Sequence, residues 1–298
     1  MRVQAYKRAY AWILLILANV LFATGYIAAK FVLQSVPVIM ALALRLGMAA
    51  LVLLPVLLLK RKELRITRRD LFQLGVLVLA GFVLNNLLEY GGLALTTASD
   101  FALLVTSESI FTAILSWIFL RERFKGITVL ALLVGSAGMY LIIERSLLPT
   151  FAAGAGALRT IGDLLILLGL VAESCYTVYG KALLVKNSPL LIVAASLIGS
   201  MVFWIPATGT MVLTTGWHPL NLPSWLALGW LALMSTVLAY LAWFQGLTKI
   251  EGSSAAATLF VQPLVGTLLA VLLLHDQLTP MTAVGGLLIV GSVYLISR

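Results

Sequence analysis

Charge is what this chain has least of. Only 10% of its 298 residues are Asp, Glu, Lys or Arg, against 62% hydrophobic. Soluble domains run nearer ~25% and ~45–50%. A chain of this length could not hide so much apolar surface from water, so the composition excludes an ordinary soluble domain and predicts an all-α integral membrane protein with the lipid bilayer as its surroundings. Cysteine is almost absent as well: Cys175 stands alone and allows no internal disulfide. His218 and His275 are the only histidines and lie far apart in sequence, so neither a metal site nor a His-Glu-x-x-His centre is expected. Acidic residues number 11 against 20 Lys and Arg, for a net charge of +9. That excess does not point to nucleic acid, because it sits in short loops between apolar runs. A nucleotide loop is missing too. GAGAL (154–158) has Arg159 where a third glycine would stand, and no strand precedes it, so neither ATP drive nor any cofactor is expected.

Long apolar runs are what is present. A helix needs about 20 residues to cross a bilayer, and ten runs qualify: 10–33, 37–59, 70–94, 97–120, 126–144, 162–184, 189–213, 223–247, 252–274 and 280–297. Pro37, Pro189, Pro223 and Pro280 lie at their starts, where a missing N–H does least harm. The first run follows MRVQAYKRAY, is too long for a signal peptide and lacks a small-x-small cleavage site, so it reads as a retained first span. Of the 20 Lys and Arg, 15 fall in segments on the same side as the N-terminus, two (Arg145 and Arg159) on the other, and Lys30, Arg45 and Lys181 within spans. Basic loops stay inside, so both termini are expected in the cytoplasm, with the chain in the cell (inner) membrane.

The chain also repeats itself. A shift of 154 residues places Gly75 on Gly229, Gly92 on Gly246, Ser99 on Ser253, Glu122 on Asp276 and Tyr140 on Tyr294. A shift of 151 places Lys30 on Lys181 and Pro55 on Pro206. Each half then holds five spans, an odd number, so the second half enters the membrane from the opposite side. The expectation is two inverted five-helix repeats, 1–145 and 162–298, joined by a Gly- and Ala-rich linker at 146–161, an arrangement that recurs in secondary transporters.

Three stretches carry a family likeness. TSESIFTAILSWIFLRERF (106–124) and LFVQPLVGTLLAVLLLHDQLT (259–279) each hold the fourth helix of a half and end in an acidic residue. AYLAWFQGL (239–247) precedes the second. With the two five-helix halves, these resemble the EamA branch of the drug/metabolite transporter superfamily over nearly the whole chain. The sequence departs from the family at Arg121-Glu122 and His275-Asp276, which replace a usual Gly-Glu, and at Ser109, which stands where the second half has Pro263. The resemblance implies the ten-helix fold and export of amino acids, metabolites or drugs, without choosing among them.

Polar residues inside the spans are the candidate site. An unpaired charge at the bilayer centre costs at least ~2.5–3.5 kcal/mol, so such residues need a partner, a wet cavity or a proton. Glu108 is halfway along the fourth span and Glu173 halfway along the sixth. Arg45 and Glu89 share the outer third of the second and third spans, with Asn85 and Asn86 close by in sequence. Asn19 marks the middle of the first span. Gln262 is the repeat partner of Glu108, and Tyr240, Trp243 and Gln245 lie on the eighth. These residues are expected to line a central cavity. There Glu108 and Glu173 could hold an ammonium group or a proton in alternation, Tyr176, Tyr179, Tyr240 and Trp243 could pack against it, and Arg45 could hold a carboxylate. Both charge signs favour a zwitterion such as an amino acid, with cationic drugs or quaternary ammonium compounds as the alternative. The plainer reading is an Arg45–Glu89 or Arg45–Glu108 pair that only fixes helix packing. Lys30 and Lys181 could snorkel to headgroups or act as gate contacts. Glu122 reads as solvated beside Arg121, Arg123 or Lys125. Gly135, Ser136 and Gly138, with Gly285, Gly286, Gly291 and Ser292, suit close helix packing within a half or a homodimer face.

The function expected is a secondary transporter exporting or exchanging small molecules by alternating access, with protons as the candidate coupling ion. An intramembrane enzyme is disfavoured by spans without histidine and without a Ser-based triad, so no catalytic residue is expected. A passive pore is disfavoured by asymmetric midplane charge.

Overall fold

A computed structural model describes residues 2–63, 67–93, 95, 104–105, 107–123, 125–144, 157–274 and 280–297. The described residues contain no strand, and their helical segments join into continuous rods: α1 (Arg2–Leu33), α2 (Val38–Lys60), α3 (68–93), α4 (Ser107–Leu120), α5 (Gly126–Glu144), α6 (Ala157–Leu183), α7 (Pro189–Thr215), α8 (222–247), α9 (252–274) and α10 (Pro280–Ser297). Their starts follow local chemistry. Thr67 and Asp70 form a reciprocal capping box on α3, and Ser188 caps α7 with Pro189 in its first turn. The Asn221 side chain accepts the Ser224 N–H at 2.9 Å to cap α8. Two starts differ from expectation. α1 begins at Arg2 rather than residue 10, and α6 begins at Ala157 rather than 162, so the end of the expected linker is helical. The rest of the expected linker, much of the first part of the fourth expected span, His275 and Asp276 lie outside the described residues, as does the Lys30 side chain.

Among the described residues, six helical stretches are long and apolar enough to cross a membrane: Arg8–Gly25, Val38–Lys60, Asp70–Gly92, Thr160–Leu183, Pro189–Thr215 and Leu222–Leu247. Ser107–Leu120, Gly126–Leu141 and Ala283–Ile296 are shorter and apolar. The surface is apolar where a soluble protein would be polar, with Leu51, Leu59, Val202, Leu213 and Leu287 exposed. The interior holds Asn19, Thr112, Ser174, Ser196 and Thr258. Apolar outside and hydrogen-bonded polar inside is the distribution a hydrocarbon solvent selects.

The helices pair in a pattern that matters below. α5 packs on α10 and α2 on α7, while α3 and α4 pack on α6, and α8 and α9 pack on α1. Some small residues of α5 and α10 meet within the chain: Gly138 lies against Gly285 and Ile289, and Gly135 against Phe260 and Ser292, whereas Gly291 has nothing within 4 Å of where a side chain would start. Both α3 and α8 contain a π-helical stretch, Leu77–Leu84 and Leu233–Leu238. Wider turns leave carbonyls for side chains. Trp204 Nε1 donates to Phe82 O at 2.9 Å and Thr236 Oγ1 to Leu231 O at 2.8 Å. Gly81 is glycine because the Tyr176 ring lies where its side chain would be.

Candidate substrate cavity

Helices α1, α2, α3, α4, α6, α8 and α9 surround a cavity of about 90 Å³. Pockets for drug-sized ligands start at roughly 300 Å³, so in this conformation the space suits the charged head of a small molecule. Arg45, Asn85, Asn86, Glu89, Glu108, Glu173, Tyr240, Trp243 and Gln262 all line it. The other candidates sit elsewhere. Asn19 is fully buried behind Gln262: it accepts from Gln262 Nε2 at 2.9 Å and donates to Thr258 Oγ1 at 3.0 Å. Tyr176 packs in an aromatic cluster with Phe82, Tyr240 and Phe244 rather than on the cavity. Tyr179 lies against Phe119. Gln245 is exposed on another face of α8, beside Tyr10 and Lys249.

Arg45 does not form the structural pair considered from sequence. Among the described residues no ion pair within 4 Å joins it to Glu89 or Glu108. Its Nε donates to Thr236 Oγ1 at 2.8 Å, and it shares the cavity with Glu89 and Glu173. Glu89 accepts from Asn85 Nδ2 at 2.9 Å. Glu173 accepts from the Tyr240 hydroxyl at 3.3 Å through one oxygen, while its other oxygen is buried without a partner. Glu108 is buried. Thr112 donates to Ser174 at 3.0 Å and Ser174 to the Glu108 carbonyl at 3.4 Å, which ties α4 to α6 and holds Glu108 level with Glu173. Three residues missed from sequence belong here: Thr236, which positions Arg45; Thr177, which accepts from Trp243 Nε1 at 3.3 Å; and Tyr90 on the wall. The hydroxyls interrupting apolar runs were the available signal.

Eight residues beyond Glu173 on α6, roughly 12 Å at helical rise, is Lys181, in a very different setting. Its Nζ donates to Glu122 at 2.8 Å and to Ile250 O at 2.6 Å. Glu122 also accepts the Gly252 and Ser253 N–H groups at 2.8 and 2.9 Å and the Ser253 hydroxyl at 2.9 Å. It therefore caps the start of α9, where backbone N–H groups favour a negative charge. The solvated reading of Glu122 is corrected: its side chain is 10% exposed and that of Lys181 18%. Arg121, at φ 54°, turns the chain after α4 and brings Glu122 back over α9. Gly252 lets this end of α9 approach Ser116 closely. Burial pushes the Glu122 carboxyl up, but the Lys181 charge and hydrogen bond, with the Ser253 and Gly252 N–H groups, outweigh it and hold the pKa below its ordinary 4.5.

Known proteins bear on this geometry. A transporter of Archaeoglobus fulgidus, described as uncharacterized, is 26% identical over 287 residues, covering 96% of this chain and 98% of its own. The uncharacterized transporter YetK of Bacillus subtilis is 24% identical, over 97% and 87%. A probable terminal-alkyne amino-acid exporter of Streptantibioticus cattleyicolor is 24% identical, over 77% and 74%. A solved crystal structure superposes with a TM-score of 0.79 at 19% identity, over 96% and 97% of the two chains, which shows a shared fold. The profile of the EamA-like transporter family matches residues 9–144 and 160–298. With two matches spanning nearly its whole length, and an apolar surface around a polar cavity, the chain is a multi-pass membrane protein belonging to the EamA-like transporter family.

Proposed function

We propose that the chain is a secondary transporter that moves amino acids or related zwitterions across the cell membrane by alternating access. The carrying observation is the cavity itself, where three carboxylates and one guanidinium that is in no ion pair with them face the same small space between helices. Carboxylate and guanidinium are complementary to an ammonium and a carboxylate. The probable amino-acid exporter among the relatives agrees with this class.

The proposed frame is ten spans in two inverted repeats, with both termini cytoplasmic. The helix pairing supports it. Exchanging the first five helices for the last five maps α3–α6 onto α8–α1 and α4–α6 onto α9–α1, and leaves α5–α10 and α2–α7 unchanged. The two π-helical stretches fall at matching positions under the 154-residue shift. In this frame the Lys181–Glu122 clasp lies on the cytoplasmic side of the cavity and is the closed gate. Opening it separates α9 from α6, and Lys30 is the proposed counterpart at the outer side. Protons are the proposed coupling ion.

The test is counterflow in proteoliposomes, with purified protein preloaded in turn with neutral amino acids, quaternary ammonium cations and sugar phosphates. Saturable accumulation of labelled amino acid is expected. Exchange of quaternary cations alone would replace the zwitterion by a simple cation. Unsaturable flux would sink alternating access.

A further inference from the structure

The three cavity carboxylates are unequally provided for. Glu89 has Asn85, and Glu173 has Tyr240 on one oxygen only. Nothing among the described residues donates to the Glu108 carboxylate, which shares its cavity with those of Glu89 and Glu173. The Ser174 bridge holds Glu108 beside Glu173 on the neighbouring helix. Glu173 thus keeps one buried oxygen without a donor and Glu108 has no donor among the described residues, while the guanidinium is steadied by Thr236.

We propose that the site selects a substrate with two ammonium groups, a diamino acid, with its amines at Glu108 and Glu173 and its carboxylate at Arg45. This rests on the zwitterion reading above and narrows it. The charge count carries the argument. Three carboxyl groups against one guanidinium sum to two unmatched acidic groups in the cavity. A neutral amino acid leaves that sum unchanged, because its ammonium meets one carboxylate while its own carboxylate takes up the guanidinium. A second ammonium matches one of the two unmatched acidic groups and gives the second donor-poor carboxylate its partner. A buried charge left without a partner is the costlier alternative.

Three probes separate the outcomes: L-lysine, L-norleucine, which lacks only the side-chain ammonium, and cadaverine, which lacks only the carboxylate. In counterflow with the wild-type protein at neutral pH, lysine is expected to half-saturate at a concentration about tenfold or more below norleucine, the scale of one added charge-assisted contact. Lysine is also expected to raise the thermal midpoint of the detergent-solubilised protein where norleucine does not. In Glu108→Gln the lysine preference should collapse to within about threefold. Arg45→Gln should weaken lysine and norleucine and spare cadaverine. Norleucine equal to or better than lysine, with or without a proton carried alongside, overturns the inference and leaves the amino-acid reading standing. Cadaverine matching lysine, with no effect of Arg45→Gln, keeps the two-ammonium site and removes the zwitterion. No exchange of any probe by folded protein removes both.

Discussion

Glu108 and Glu122 are two glutamates fourteen residues apart, and the protein treats them in opposite ways. Glu122 has all it needs: a lysine, two backbone N–H groups and a hydroxyl, all within 2.9 Å. Glu108 is equally hidden and shares its cavity with two other carboxyl groups. One carboxylate is built into the fold, and the other is left short. A satisfied buried charge holds elements together, whereas an unsatisfied one stores a demand that a ligand or a proton can meet. Within one chain this separates a closure from a binding surface without appeal to sequence position.

The largest effects should come from removing the two charges separately, and they should differ in sign. Glu122→Gln leaves Lys181 buried without its counter-charge and leaves a single neutral side-chain oxygen to accept at the start of α9, at a cost of about 3–5 kcal/mol to the clasped state. The thermal midpoint should fall by several degrees. If the clasp is the gate, the remaining folded protein should also show altered access to the cavity, read by labelling of cysteines introduced there. A midpoint that falls while transport per folded molecule stays unchanged would make the clasp mere scaffolding. Glu108→Gln removes one of three cavity carboxylates, so its midpoint should hold or rise while lysine counterflow falls towards the norleucine level. Loss of stability comparable to Glu122→Gln would erase the contrast on which the site assignment stands.

Charge reversal sharpens the same comparison. In the double variant Glu122→Lys with Lys181→Glu, an ion pair could re-form. The start of α9 would nonetheless face an ammonium, which cannot accept from the Gly252 and Ser253 N–H groups and is repelled by their dipoles. Rescue should therefore fail, while Glu122→Asp should retain part of the midpoint. Full rescue by reversal would reduce the clasp to a pairwise Coulomb contact.

What could be read beforehand divides along similar lines. The apolar runs and the prolines and caps at their starts are local, and the helices begin near them. The cavity residues were legible because charges and amides inside apolar runs are costly enough to demand a reason. Glu122 was not legible. Its partners lie 59 to 131 positions away, and the basic residues beside it suggested a local pairing that the turn at Arg121 prevents. Gln245 illustrates a different gap. At 100° per residue, Tyr240 and Trp243 share a face of α8 and Gln245 points away, so helical period held the answer that polarity alone did not. The π-helical stretches depend on side-chain partners such as Trp204 and left no local mark.

Acid titration gives a third, smaller test. Because the Glu122 pKa is held below 4.5 in the folded protein, its contribution is present above the unfolded value and disappears as pH falls through the folded one. Between pH 6 and 8 the clasp should therefore be indifferent to pH. Any pH dependence of transport in that window belongs to the cavity. Glu122→Gln should leave the midpoint of the transport–pH profile where it is, and Glu108→Gln or Glu173→Gln should move or abolish it. A midpoint displaced only by Glu122→Gln would assign proton sensitivity to the gate instead.

The smallest expected effect concerns the residue that polarity misplaced. Asn19 touches no part of the cavity surface but holds Gln262, which does, and is itself held by donating to Thr258 and to Leu15 O at 2.8 Å. Asn19→Ala removes the acceptor of the Gln262 amide and the donor to Thr258, at about 1–3 kcal/mol of stability. Transport should persist with a KM raised a few-fold and kcat nearly unchanged, because Gln262 loses its orientation and none of the charges moves. Glu108→Gln, by contrast, should lose the preference for lysine over norleucine. An Asn19→Ala protein with normal stability and abolished transport would place Asn19 in contact with substrate during some part of the cycle, and the boundary between lining and support would then shift by one helix turn.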